Sequence, residues 1–157
     1  MQNKAFTRTF ILFVAQGAFA GKVPVAPGTA GSFVGILFYL FLKERSPFWY
    51  GVACAVVIVV GTWAAGRAEV ILDKKDHPSI VIDEIAGMLI SLFLVSSGWA
   101  FIAGGFFLFR FFDIAKPRPI YRLQELPGGV GVMADDIAAG ICANLALQLA
   151  AIIIGRT

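Results

Sequence analysis

Charged residues are scarce in this sequence. Asp, Glu, Lys and Arg make up 15% of its 157 residues, whereas soluble proteins carry roughly 25%. Apolar residues make up 59% and the mean hydropathy is +0.82, so a soluble domain of this length would leave much apolar surface in water. The composition therefore predicts an integral membrane protein, and the length predicts one membrane-embedded domain over residues 1–157.

Cysteine and histidine are also rare, and their scarcity excludes several classes of site. Cys54 and Cys142 each lie within an apolar run, which indicates packing residues rather than a disulfide framework or a zinc site. The single histidine, His77, has no accompanying motif, which disfavours a phosphatase with a histidine nucleophile. The net charge of +3 gives no reason to expect a nucleic-acid partner.

Apolar runs dominate the rest of the chain and predict an all-α membrane helix bundle. We expect about five transmembrane helices, at residues 29–42, 48–68, 80–97, 99–114 and 135–154. The run at 6–21 is too short and too interrupted to span, so it predicts a short N-terminal helix at the membrane interface. This run has the rough shape of a signal peptide, but it contains the polar Gln16 and we expect it to be retained.

The distribution of Lys and Arg predicts the orientation of the bundle. Five crossings with the N-terminus inside place ten of the 13 basic residues on the inner side and three outside, namely Lys43, Arg45 and Arg156. A sixth crossing at 6–21 would leave five inside and eight outside. Because cytoplasmic loops are enriched in Lys and Arg, the five-helix arrangement is favoured.

Five carboxylates are expected at the cytoplasmic ends of these helices. The third helix carries Asp83 and Glu84 in its first turn, the fourth ends at Asp113, and the fifth begins with Asp135 and Asp136. Ionisable groups at membrane depth cost roughly 2.5–3.5 kcal/mol each, so they indicate function. A hard divalent cation such as Mg²⁺, held through oxygens, would relieve their mutual repulsion. Taken alone, the last two acids have a simpler interpretation as a helix cap.

Basic residues accompany these acids. Arg110, Lys116 and Arg118 lie within nine residues around Asp113, and both residue types bind phosphate oxygens, Arg through a planar fork and Lys as a point charge. The prolines on either side of Arg118 predict an extended backbone there. The same cations satisfy the preference for positive charge inside, so the sequence alone leaves both roles open.

Three further patterns concern helix ends and faces. Thr29 and Ser32 are expected to cap the first transmembrane helix. The glycines within 128–131 form a turn that resembles a phosphate cradle only loosely. On the fifth helix a polar stripe recurs every four residues and should face neighbouring helices; it consists of Asp136, Gly140, Asn144 and Gln148.

Four sequence blocks carry a resemblance to a known family. GTAGS at 28–32, IVIDEIAG at 80–87, FRFFDIAKPRPI at 109–120 and GVMADDIAAG at 131–140 resemble, in order and spacing, the signature blocks of phosphatidylglycerophosphatase A. The resemblance implies a multi-pass bacterial inner-membrane enzyme that uses Mg²⁺ to remove the terminal phosphate of phosphatidylglycerol phosphate at the cytoplasmic face. Its partners would be that phospholipid and the lipid bilayer.

The resemblance also implies a set of site residues. Mg²⁺ is expected at the five acids, Asp83, Glu84, Asp113, Asp135 and Asp136. Catalytic roles are expected for Asp113, Asp135, Asp136 and Lys116, and substrate contacts for Thr29, Ser32, Arg110 and Arg118. The nucleophile, water or an aspartate, and the oligomeric state stay open.

Two other classes of protein would explain a carboxylate cluster in a membrane. A cation transporter would bind a divalent ion there, but it would place ionisable residues near the midplane on discontinuous helices. A non-catalytic membrane subunit would leave the clustering of charge unexplained. A phosphatidyltransferase also gathers aspartates around a metal, but its DGxxAR opening is absent from this sequence. The sequence therefore favours an interfacial phosphatase.

Overall fold

The computed structural model describes residues 2–96 and 98–155, and the side chains within them from residue 5 onward. This part of the chain contains seven α-helices and no strand, which confirms the all-α prediction. The helices are α1 (Gln2–Ala15), α2 (Pro27–Leu42), α3 (Pro47–Leu72), α4 (Ile82–Ser91), α5 (Trp99–Ala115), α6 (Arg118–Leu123) and α7 (Gly129–Ile154). A 3₁₀ turn at Ala20–Lys22 joins α1 to α2. Arg156 and the predicted helix residue Ser97 lie outside the described residues.

Two helices are long and apolar enough to cross a membrane by length and composition. They are α3 and α7, each of 26 residues, which corresponds to about 39 Å of helix. The other predicted spans are shorter, with 16 residues in α2 and 17 in α5. The N-terminal run is helical as far as Ala15 and exposes Phe6, Phe10 and Phe13.

The third predicted helix is much shorter than its apolar run. It was expected over residues 80–97, but α4 covers only ten residues and contacts α2, α3, α5 and α7. The amide of Asn144 on α7 donates hydrogen bonds to the carbonyls of Ser91 and Phe93, at 3.1 and 2.7 Å. These bonds satisfy carbonyl groups at and beyond the end of α4, so the chain can leave the helix inside the bundle. Gln148 donates to Asn144 at 2.8 Å, in agreement with the predicted inward polar stripe.

A contact between two glycines sets the distance between α4 and α7. A Cβ atom added at Gly140 would lie 2.5 Å from the carbonyl oxygen of Gly87. Gly87 is one helical turn beyond Asp83, and Gly140 is one turn beyond Asp136. The close approach of the two backbones therefore brings acids from two helices together.

The fifth predicted helix begins earlier than expected. We predicted a start at Asp135, but α7 begins at Gly129, six residues before it. Gly128 supplies a left-handed turn with φ 57°, and a Cβ atom at Gly129 would overlap the carbonyl of Thr62 on α3. The glycines thus let the helix start against α3 rather than form a separate cradle. Asp135 and Asp136 consequently lie in the second turn, and the helix-cap interpretation is wrong.

The predicted cap of α2 is also wrong. The helix begins at Pro27, two residues before Thr29, and no side chain caps it. Proline is pre-organised for the first helical position, where its missing N–H has no helical partner. Ser32 lies inside the helix, where its hydroxyl donates to the carbonyl of Gly28 at 2.9 Å.

The chain around Lys116 follows the sequence prediction only in part. As predicted, α5 ends beside Pro117, with Lys116 in a left-handed conformation at φ 37°. The extended backbone expected around Arg118 is not present, because Arg118 begins α6. Pro119 lies in the first turn of that helix, a position that proline tolerates.

The end of α1 is joined to the segment that precedes α4. The buried side chain of Gln16 donates a hydrogen bond to the hydroxyl of Ser79 at 2.9 Å, and the backbone N–H of Val81 donates to the carbonyl of Ala15 at 2.9 Å. A Cβ atom at Gly21 would overlap the carbonyl of Ser79. The N-terminal segment therefore supports the chain leading to Asp83 and Glu84.

Candidate active site

A cleft of about 370 Å³ lies at one end of the helix bundle. The first turns of α2 and α4, the second turn of α7, the end of α5 and the loop before α4 surround it. All five predicted carboxylates contribute to its wall. Its lining residues are Ala26, Pro27, Gly28, Asp76, Pro78, Ile80, Asp83, Glu84, Arg110, Asp113, Ile114, Lys116, Asp135 and Asp136.

Three of the acids form a compact group. One carboxylate oxygen from each of Asp83, Glu84 and Asp136 lies within 4.8 Å of the others. Each residue also has a buried oxygen without a hydrogen-bond partner: Asp83 Oδ1, Glu84 Oε2 and Asp136 Oδ2. Buried carboxylate oxygens without partners are costly. Oxygens that share a Mg²⁺ at roughly 2.1 Å are up to about 4.2 Å apart, so this group fits such an ion after a small contraction.

Asp113 is paired with a cation of its own helix. Arg110 Nη1 lies 2.6 Å from Asp113 Oδ2, and the two residues are three positions apart on α5. The same nitrogen is 3.9 Å from Glu84 Oε1. Both side chains of the 2.6 Å pair are largely buried, at 17% and 11% exposure. Arg110 therefore neutralises Asp113 and connects it to the acid group.

Asp135 is paired with Lys116. The ammonium of Lys116 donates a hydrogen bond to Asp135 Oδ2 at 2.6 Å, and the side chain of Asp135 is only 3% exposed. Burial alone would lower the pKa of Lys116. The hydrogen bond to Asp135 and the charges of Asp135, Asp136 and Asp113 together outweigh burial, so the pKa of Lys116 is raised above its usual value.

The structure thus brings the five predicted acids together and divides them into two kinds. Asp83, Glu84 and Asp136 have oxygens close enough to share one cation. Asp113 and Asp135 each contact a basic side chain at 2.6 Å. The first kind could hold a metal ion, and the second places two positively charged groups beside it that are suited to an anionic ligand.

Gly28 forms the part of the wall facing Arg110. A Cβ atom there would overlap Glu84 Oε1 and would lie 2.9 Å from Arg110 Nη1. A side chain at position 28 would displace Glu84 and Arg110 from their observed positions, whereas glycine leaves them in place. The block GTAGS that contains Gly28 therefore contributes through the absence of a side chain.

Three predicted substrate-contact residues lie outside the cleft lining. Thr29 follows Gly28 on α2 and is half-buried, while Ser32 is fully buried one turn further on. Arg118 is exposed at the start of α6. Of the four predicted substrate contacts, the cleft lining includes Arg110 alone.

One acid of the cleft was not predicted from the sequence. Asp76 lies in the loop between α3 and α4 and lines the cleft with the other acids. Its charged neighbours suggested a solvated loop, since Lys74, Lys75 and Asp76 are consecutive. The available signal was its position just before the IVIDEIAG block, on the same predicted side of the membrane.

Comparison with known proteins identifies the family. The sequence matches the profile of phosphatidylglycerophosphatase A over residues 13–151. The chain belongs to the phosphatidylglycerophosphatase A family. A phosphatidylglycerophosphatase A of Escherichia coli is 35% identical over 130 residues, which cover 82% of this chain and 76% of the relative. That of Haemophilus influenzae is 38% identical over 136 residues, which cover 85% of this chain and 83% of the relative.

A relative that carries a different name is also similar to this chain. A Bacteroides thetaiotaomicron protein, provisionally named as a phosphatidylinositol-3-phosphatase, is 33% identical over 152 residues. The match covers 92% of this chain and 95% of that protein. No solved structure matches the chain. The resemblance seen in the four sequence blocks is confirmed, and both names describe phosphatases that act on phospholipids.

Proposed function

We propose that this protein removes the terminal phosphate of phosphatidylglycerol phosphate to give phosphatidylglycerol, with Mg²⁺ as its cofactor. The observation that carries the proposal is the composition of the cleft. Three carboxylates with buried, unpaired oxygens lie beside two cation–carboxylate pairs, in a chain of the phosphatidylglycerophosphatase A family. This is a donor set for a hard cation next to donors for phosphate oxygens.

Asp83, Glu84 and Asp136 would hold Mg²⁺, which supplies positive charge to balance the phosphate oxygens. Arg110 and Lys116 are the basic residues that line the cleft. Each is held at 2.6 Å by its own carboxylate, so its position is set before substrate binds. Such pre-organised donors stabilise the charge that spreads over the transferring phosphoryl group.

The arrangement supports an enzyme over the cation transporter considered from the sequence. The acids gather at one end of the bundle, at the start of α4, the end of α5 and the second turn of α7. A transporter would need ligands near the middle of continuous or broken helices. The two basic side chains inside the cleft suit an anionic substrate and would oppose the passage of a cation.

We propose five crossings of a bacterial inner membrane with the cleft on the cytoplasmic side. Residues Leu92 and Val95, which follow α4, line a second cleft with Tyr39, Lys43 and Pro47 at the far ends of α2 and α3. The chain from the start of α4 to Val95 therefore runs the length of the bundle, although α4 itself has only ten residues. Irregular backbone at membrane depth is tolerated when protein surrounds it.

The proposed reaction is tested by phosphate release from purified protein. We expect release from phosphatidylglycerol phosphate that stops when EDTA removes Mg²⁺ and resumes when Mg²⁺ is restored. Phosphatidylinositol 3-phosphate is assayed alongside, because one relative is named for that substrate. A higher kcat/KM for the inositol lipid would replace the proposed substrate, and metal-independent turnover would contradict the cofactor.

The proposed orientation is tested by thiol labelling of intact cells. In a background with Cys54 and Cys142 replaced by alanine, Glu125→Cys should be protected from an impermeant reagent added outside. Glu44→Cys, at the opposite end of the bundle, should be labelled. The reverse pattern would place the cleft on the outer face.

A further inference from the structure

Asp76 differs from the other acids of the cleft in its exposure. Its side chain is exposed, whereas Asp83, Asp113, Asp135 and Asp136 are buried, with exposed fractions of 9% or less. It also lies on a loop, whereas those four are held within helices. Asp76 is therefore the acid of this cleft with direct access to water.

Two hydrogen bonds hold Asp76 in place. Its backbone N–H donates to Glu69 Oε1 at 2.7 Å, and Gln124 Nε2 donates to Asp76 Oδ2 at 3.3 Å. The residue adopts a left-handed conformation with φ 48°, which Asp tolerates better than most residues. Within the described part of the chain, no hydrogen bond or ion pair occupies Oδ1. Asp76, which lines the cleft, thus has one carboxylate oxygen without a partner among the described residues.

The remaining acids are already committed to other contacts. Asp113 and Asp135 are buried and each paired at 2.6 Å with a cation, so neither has the access to solvent that Asp76 has. One carboxylate oxygen from each of Asp83, Glu84 and Asp136 lies within 4.8 Å of the others, as the ligands of a single metal ion would. A general base must be free to accept a proton and must pass it to solvent after each turnover.

We infer that Asp76 is the general base that takes a proton from the attacking water. Water forms a bond from its oxygen to phosphorus while its proton moves to Asp76 Oδ1. The bond from phosphorus to the glycerol oxygen breaks, its electron pair stays on that oxygen, and a proton from solvent completes the alcohol. Asp76 then returns its proton to solvent. If an aspartate attacks phosphorus first, Asp76 acts on the water that hydrolyses the aspartyl phosphate.

The inference rests on the proposed phosphatase function, and the loop supplies a matched control. Asp73 is also exposed and left-handed, with φ 50°, but it does not line the cleft. Asp76→Asn keeps the shape and the backbone preference while removing the base. We expect kcat to fall about 100-fold with KM nearly unchanged, as for loss of general-base catalysis. Asp73→Asn should retain wild-type kinetics.

Chemical rescue separates a base from a structural residue. Asp76→Gly accommodates the positive φ and opens space on the cleft wall, so added formate should raise its kcat in a saturable manner. Formate should not change the rate of wild type or of Asp73→Gly. Equal rates for the two Asn variants, or a defect in Asp76→Gly that formate leaves unchanged, would overturn the inference. Absence of phosphate release by the wild-type protein would instead refute the proposed function itself.

Discussion

Replacing Gly140 by alanine should disable the site without touching an acid or a cation. The added methyl group would lie 2.5 Å from the carbonyl oxygen of Gly87, where ordinary contacts begin at 3.4 Å. The three nearest atoms are all backbone atoms of Gly87 on α4, so no side chain can rotate away. The helices α4 and α7 must separate by the difference, about 0.9 Å.

The magnitude follows from where that separation acts. Asp83 and Asp136 lie one turn from the two glycines, so their oxygens would move apart by a similar amount. A misplacement of about 1 Å at a reacting centre costs roughly 100-fold in rate. Overpacking a close contact costs about 1–3 kcal/mol of stability. We therefore expect kcat to fall about 100-fold, together with weaker Mg²⁺ binding.

The assay compares Gly140→Ala with Gly51→Ala, a second glycine inside a helix. A Cβ atom at Gly51 meets nothing within 4 Å, and alanine favours a helix over glycine by up to about 1 kcal/mol. The control should keep wild-type kcat and unfold at the same temperature or higher. Mn²⁺ binding, followed by electron paramagnetic resonance, reports the site independently of turnover. Wild-type kcat and Mn²⁺ affinity in Gly140→Ala would refute the argument from helix separation.

Four other substitutions test the division of charges. Asp83→Asn and Asp136→Asn should each abolish Mn²⁺ binding. The double variant should lose scarcely more kcat than the worse single variant, because ligands of one ion act as a unit. Losses of kcat that multiply independently would contradict a shared ion. Lys116→Gln should lower kcat by orders of magnitude, as loss of a pre-organised donor does. Arg118→Gln should change kcat little, because that side chain is exposed outside the cleft. Similar losses in both variants would place phosphate binding at Arg118. The raised pKa of Lys116 contributes stability that is present below the ordinary lysine pKa, about 10.4, and is lost as pH rises through the folded-state value. The melting temperature of wild type should therefore fall across that pH range more than the melting temperature of Lys116→Gln. Parallel curves of melting temperature against pH would show no linkage.

The positions of the acids were predictable because charge is expensive in an apolar chain. Each carboxylate was recognisable as an exception to its surroundings, and the orientation of successive helices then placed all five at one end. The cleft confirms that they meet. The sequence could not show which basic side chain pairs with which acid. Whether Lys116 contacts Asp113 or Asp135 depends on how α5 and α7 pack, and the observed 2.6 Å contact spans 19 positions of sequence.

Helix ends were predicted less well, for two physical reasons. Glycine usually ends helices, so the start of α7 was placed after the glycines, whereas the contact of Gly129 with Thr62 uses glycine to begin one. The end of α4 depends on hydrogen bonds from Asn144, more than fifty residues away. Neither contact can be inferred from the local sequence pattern. Asp76 was missed for a related reason, since its place before the IVIDEIAG block does not by itself show that its loop reaches the cleft.

The attachment of residues 15–21 to the segment before α4 bears on how the protein can be handled after synthesis. A leader sequence is disposable because the exported product makes no use of it. Here the corresponding stretch supplies an acceptor to Val81 and a donor to Ser79, within four residues of Asp83. Proteolytic removal of this stretch would strip the support from one wall of the cleft and inactivate the enzyme rather than mature it. An affinity tag for purification therefore belongs ahead of α1 and must not replace it.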